Sequence, residues 1–343
     1  MDLRLTALIS ASLLAAYAAA PARAADAPAP HPSGLHVVSR IAGPDGGWDY
    51  ASFDPVRRRV YVTHGANLMT IDADSGAANA TFAPASRLHA AVPVPGTDLV
   101  VTTNSGDKTA RVVSAVDGKL LASIATPDDP DGAGYDAASG LVVVICGDGQ
   151  ALALIDPKAQ KLVATIALPG KPEFGAPDGK GRYFVNLEDK NAVAVVDLAQ
   201  RKVTATYALP GCERPTGLAY VAGDRVISDC GNGGVDILEA STGKLHGQFK
   251  VGGFPDAVIY DPQRQLAYVP SALGGNLTVI ALSGAADNTV IDTVATQLGT
   301  RTGTVDPKTG RVYLPTAQYI LPAPAGQRPQ VKPGTFVVLV LDR

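Results

Sequence analysis

Charge is sparse in this chain. Asp, Glu, Lys and Arg together make up 18% of its residues, and 32 acidic against 29 basic side chains leave a formal net charge of -3. A surface that tracks a phosphate backbone concentrates Lys and Arg, and the one basic cluster, Arg57, Arg58 and Arg59, falls in an expected turn. Nucleic acid is therefore not the expected partner. Aromatic residues amount to 6%, and there are only three Cys, two Met and one Trp. No C-x-x-C pair is present, which excludes zinc ribbons, thioredoxin-like redox motifs and c-type haem attachment. There is also no G-x-S-x-G elbow and no glycine-rich phosphate loop opening a helix.

Long apolar runs are equally scarce. The single one, Leu5 to Ala20, follows Arg4 and precedes small residues at Ala22 and Ala24, the layout of a secretory signal peptide over residues 1–24. As a membrane anchor it falls short of the roughly 20 residues that a spanning helix needs. A periplasmic or secreted protein with no membrane span after cleavage is expected, acting as a monomer. What the chain does have is 36 Gly and 26 Pro in a sequence that is 46% hydrophobic. Turns at that density, around apolar runs of strand length, indicate an all-β fold.

The runs repeat. "SFDPVRRRVYVTHG", "GYDAASGLVVVICG", "IYDPQRQLAYVPSA" and "TVDPKTGRVYLPTA" share an Asp, a turn and a β-rich strand, and three weaker copies fit the same frame. The reference positions Asp54, Val94, Asp136, Pro177, Tyr220, Asp261 and Asp306 are spaced by 40 to 45 residues, the period of a four-stranded propeller blade. The last copy lacks a fourth strand, and residues 34–43 resemble a fourth strand with no blade before it. A single seven-bladed β-propeller over residues 34–343, its ring closed by the N-terminal strand, is the expected architecture.

"RVYVTHG", "RVYLPTA" and the repeated V-I-D-x-x-T-G turn resemble the YVTN-repeat (YncE-like) family of exported bacterial β-propellers, as do "WDY", "KPEF" and "CERPTGLAY". The resemblance covers essentially the whole mature chain. It implies the propeller fold and an exported location, and DNA binding is known for one relative, but propellers host many chemistries.

In a propeller, one position from each blade gathers around the channel. The column where each first strand begins reads Asp49, His89, Asp131, Pro172, Pro215, Asp256 and Arg301, with Glu173 one step on. The column ending each second strand includes His64, Asn104, Cys146 and Cys230, with Glu188 adjacent. Both belong on one face, so Asp49, His89, Asp131, Glu173, Glu188, Asp256 and Arg301 are candidate ligand-binding residues. His64, His89 and Asp49 are candidate ligands for a divalent ion such as Zn, Mn or Ca. The same side chains are equally compatible with a wet channel mouth that needs only water.

Cys212 precedes the first strand of the fifth copy and Cys230 ends its second, so a Cys212–Cys230 disulfide is expected, with Cys146 left as a small buried hydrophobe. A proline-rich insertion at 318–334 is either a lid or an ordinary surface excursion. These features favour a binding module or scaffold for a small molecule, a metal ion or an envelope protein. A metal-dependent hydrolase of the lactonase kind is the alternative, and DNA binding a third.

Overall fold

The computed structural model describes residues 33–284, 287–322 and 329–343, so the expected leader and the tip of the insertion lie outside the described residues. Strand burial follows directly from the sequence runs. In Leu141–Cys146, Ala151–Asp156, Arg182–Leu187 and Ala192–Asp197, five of six residues are buried. Continuous apolar runs of this length suit strands covered on both faces. The outer strand Lys202–Ala208 instead alternates exposed with half-buried residues, because only one of its faces meets a neighbour.

Residues 130–167, 172–208, 215–250 and 259–295 each form a four-stranded antiparallel sheet whose spatial order is the chain order. A fifth places Thr304–Val305, Val312–Thr316, Val337–Asp342 and His36–Ala42 side by side. Residues 51–125 form a six-stranded sheet, and Tyr319–Ile320 pairs with Gln330–Val331 in a small ribbon inside the insertion. Apolar clusters fill the spaces between consecutive sheets. Val143, Ile145 and Leu154 meet Tyr183, Val185 and Val196, for example, and Ala219, Ile227 and Ile237 meet Val258, Ala267 and Val269.

The expectation of seven separate four-stranded blades is corrected here: the described residues form six large sheets. The first two copies share one because the usual punctuation is missing. Where other copies insert a four-residue turn such as Glu188, Asp189, Lys190 and Asn191, the first has only Gly65 and Ala66 between "VTH" and "NLMTI". Arg59–Asp72 is accordingly one long strand that doubles back, with Ala73 N–H donating to Arg58 C=O at 2.8 Å. Ala78–Pro93 likewise runs on without the Leu-Pro-Gly or Val-Gly-Gly break found at later junctions.

Closure of the ring by the N-terminal strand is also corrected. His36–Ala42 pairs antiparallel with Val337–Asp342, but as the outermost strand of that sheet. The junction to the six-stranded sheet is made by side chains, with Trp48, Val60 and Val62 packed against Tyr313, Phe336 and Val338. A hydrogen bond from Thr302 Oγ1 to Asp49 C=O, 2.6 Å, reinforces it.

The repeated Asp is structural. Asp54, Asp136, Asp261 and Asp306 are all buried, and each accepts from backbone N–H groups two or three residues on. Such Asx turns satisfy the hairpin backbone locally. Arginines beside these turns reach the next sheet. Arg264 bridges Asp261 Oδ2 at 3.0 Å and Pro307 C=O at 3.1 Å, and Arg182 joins Asp178 at 2.7 Å and Asp224 at 2.9 Å.

The Cys212–Cys230 disulfide is present, with a Cα–Cα distance of 5.4 Å, and Cys146 is free and buried. Its presence fits an oxidising, exported location.

Two measurements check this account. Asp261→Ala removes an acceptor for two backbone donors and one guanidinium, so its unfolding free energy in denaturant should fall by about 1–3 kcal/mol; an unchanged midpoint would deny the turn its structural role. Thiol titration of the denatured, unreduced protein should find a single thiol, Cys146, and finding three would remove the disulfide.

Candidate functional site

The inner strand of several copies starts with the same distortion. Pairing shifts between Leu88 and Ala91, Pro130 and Ala133, Pro172 and Gly175, and Pro215 and Leu218. Each bulge carries the residue two short of the resumed ladder: His89, Asp131, Glu173 and Thr216 lie within them. Arg87, Asp129, Arg214 and Phe254 each adopt a left-handed backbone (φ 49°, 57°, 56° and 55°), two positions before His89, Asp131, Thr216 and Asp256. Bulges re-aim side chains and recur beside functional sites.

His89 is the hub of the resulting cluster. Its Nδ1 lies 2.7 Å from Asp49 Oδ2 and 3.4 Å from Asp131 Oδ1, while Nε2 lies 2.9 Å from Ser105 Oγ. One ligand atom from each of Asp49, His89 and Asp131 falls within 4.8 Å of the others. Asp131 Oδ1 is buried and makes no hydrogen bond. With Nε2–H given to Ser105, the Nδ1 lone pair faces both carboxylates, which is the tautomer a cation would use.

The remaining expected residues divide. Arg301 donates to Asp256 Oδ2 and to Trp48 C=O, both at 3.0 Å, and lies 3.9 Å from Asp49 Oδ1. Glu188 accepts from the exposed Arg214 at 2.6 Å and faces Lys171 at 3.8 Å. His64 stands apart from the three-residue group. Its ring packs edge-on against Phe336 with centroids 4.5 Å apart, its Nε2 is buried without a hydrogen bond, and burial holds its pKa below the ordinary value. Cys146 is fully buried, and burial raises its thiol to about 12, which keeps it an unreactive thiol.

Electrostatics mark the cluster as short of positive charge. Burial, then Asp49, push the Asp131 carboxyl well above the usual range; burial, then Asp131, raise Glu173 to about 9. Burial lifts Asp256 to about 6 even though Arg301 opposes it. Three residues were not among the sequence candidates. Tyr50, beside Asp49, is raised by burial and then by the carboxylates of Asp131, Asp256, Asp49 and Glu173. Ser105 orients His89. Asp229 accepts from Thr216 Oγ1 at 2.6 Å and Gly217 N–H at 2.7 Å, and burial raises it to about 7. Each lies one residue from an aligned column.

Solved structures show the same architecture. A chain of Kuenenia stuttgartiensis hydrazine synthase superposes with a TM-score of 0.69 at 17% identity, over 82% of this chain and 95% of that one. A chain of the mitotic checkpoint complex gives 0.70 at 13% identity, over 90% and 96%, and U3-55K gives 0.72 at 9% identity, over 90% and 99%. The chain is a β-propeller. At these identities the likeness shows the fold alone. No protein-family model matches this propeller, and no curated protein does, so the YVTN-repeat resemblance has no support beyond the motifs that suggested it.

A raised carboxyl pKa favours folding at low pH, and that contribution is lost as pH rises through the folded-state value. For Glu173 the window runs from its unfolded value near 4.5 up to about 9. The melting temperature should therefore decline from pH 5 to pH 9, and Glu173→Gln should flatten the decline. Parallel curves for the two proteins would show that Glu173 is ionised at neutral pH.

Proposed function

We propose that this propeller is an exported binding protein of YVTN-repeat type whose acidic channel mouth takes a divalent cation. The observation that supports this most directly is the Asp49, His89 and Asp131 group, in which the buried Asp131 Oδ1 makes no hydrogen bond. Two carboxylates and one imidazole suit Zn, Mn or Ca more than soft-metal chemistry. Ser105 acts behind His89, holding the ring by its far nitrogen as outer-shell partners of metal ligands do. Asp256 adds negative charge near the ion and Arg301 limits it, so the cation would meet a prearranged field rather than a flexible loop.

A second reading, hydrolysis of the lactonase kind, is favoured by Glu173 alone. A carboxyl kept protonated beside a cation site has the character of a general acid. It becomes the leading reading only if the metal-loaded protein turns over lactones or esters.

The test is elemental analysis of the protein purified without chelator or affinity metal, beside His89→Ala and Asp131→Asn. Near-stoichiometric metal in the parent and its loss in both variants, with circular dichroism unchanged, is the expected result. Metal-free parent protein that also fails to bind Zn, Mn or Ca by calorimetry would end the reading.

A further inference from the structure

Five large apolar side chains stand exposed on the connections of the last two copies. Phe254 is 53% exposed, Leu273 65%, Leu298 46%, Ile320 51% and Leu321 57%. Hydrogen bonds place the segments that carry them side by side. Leu273 N–H donates to Gly253 C=O at 3.0 Å and Ala272 N–H to Phe254 C=O at 3.1 Å, so the turn of Leu273 lies on the segment of Phe254. Gly299 N–H donates to Ala272 C=O at 2.8 Å and Thr316 Oγ1 to Leu298 C=O at 3.2 Å, which brings Leu298 and then the insertion alongside. The result is a row. Leu120, Leu162 and Leu245, also exposed, stand by contrast on the outer strands of three separate sheets.

The row stands where other copies are polar. At the place of Leu273, the turns of the second to fifth copies have Gly106, Asp148, Asp189 and Asn232. Phe254 has a left-handed backbone, φ 55°, where Arg87, Asp129 and Arg214 occupy the matching connections. Of the thirteen described non-glycine residues with such a backbone, it is the only apolar one. A bulky ring is disfavoured in that conformation, and a ring exposed to water gains no packing that would offset it. The surface around the row is also without net charge. Residues 251–258, 271–276 and 295–301 contain two charged side chains, Asp256 and Arg301, and these bond each other at 3.0 Å. At its far end the row meets the ribbon of Tyr319–Ile320 and Gln330–Val331, which pairs with no third strand among the described residues.

We propose that this row binds an extended, uncharged apolar segment of another polypeptide. Each of the three connections contributes a single apolar side chain, and a strand presents its alternate side chains along one line to match them. Its main chain can pair with an edge of the ribbon. Gly253, Gly275 and Gly299 flank the row and add no side chain that would hold a backbone away. A charged segment would lose hydration here without gaining a partner. A second copy of the propeller fits less well, because a stable dimer buries about 800 Å² per partner and five half-exposed side chains supply less. A lipid surface is disfavoured by the scarcity of Lys and Arg, which draw proteins onto anionic headgroups. The row uses none of the cation ligands, so this inference and the cation reading fail separately.

The probe is a fluorescein-labelled hexapeptide alternating leucine with threonine, beside a control with glutamate in place of each leucine. Fluorescence anisotropy with the full chain should give the leucine peptide a dissociation constant at least tenfold lower than the control. Leu273→Asp should weaken it at least tenfold with circular dichroism unchanged. Phe254→Asn should weaken it as well while leaving the melting temperature unchanged or higher, since asparagine accepts the left-handed backbone more readily than phenylalanine. Equal binding of the two peptides, binding of neither, binding indifferent to Leu273→Asp, or a melting temperature lowered by Phe254→Asn would each overturn the proposal. Concentration-dependent dimerisation in sedimentation, dispersed by Leu273→Asp, would overturn it in favour of a second copy. Flotation with phosphatidylcholine and phosphatidylglycerol vesicles, lost in the same variant, would overturn it in favour of lipid.

Discussion

The molecule depends on burying both faces of its middle strands. A strand such as Leu141–Cys146 has apolar side chains on each side, and a single sheet satisfies only one of them. Each sheet must therefore lie against two neighbours, and the packing has to return to its start, as it does where Trp48 and Val60 meet Tyr313 and Val338. Apolar area sealed between sheets drives this at roughly 25 cal/mol per Å². The buried Asp turns and the arginines that cross to the next sheet secure the outer ends of the strands without entering those interfaces.

The same constraint creates the site. Polar residues collect where the inner strands begin, beside apolar contacts such as that of Tyr50 with Phe174. Bulges at the starts of the inner strands carry His89, Asp131, Glu173 and Thr216, and His89 meets Asp49 and Asp131 there. Burial, and then the repulsion between carboxylates brought together in this way, raise Asp131 and Glu173 above the ordinary carboxyl range. A group of half-buried acids around one imidazole is prepared for positive charge.

The functional parts are unevenly rigid in kind. His89 is held at both ring nitrogens and Arg301 by Asp256 and Trp48, so their positions are set before any ligand arrives. Asp131 Oδ1, 3.4 Å from His89 Nδ1, and the Tyr50 hydroxyl make no hydrogen bond among the described residues. Those two atoms are where the geometry leaves room for a guest.

Much of this was legible in the chain itself. The period of 40 to 45 residues, the Asp at each turn and the continuous apolar runs are local consequences of hairpin chemistry and strand burial, so they declared an all-β repeat architecture. Alignment columns also brought Asp49, His89 and Asp131 to one place, and the spacing of Cys212 and Cys230 indicated their bond. Sheet membership was not legible, because the absence of a turn around Gly65 and of a break near Pro84 changes hydrogen bonding without changing the period. His64 shared a column with channel residues, yet tertiary packing turned its ring toward Phe336. Tyr50, Ser105 and Asp229 escaped because each stands one residue away from an aligned column. Local sequence determined the strands and their turns, and only the packing of sheets around a common axis decided which polar atoms meet and which are left unpaired.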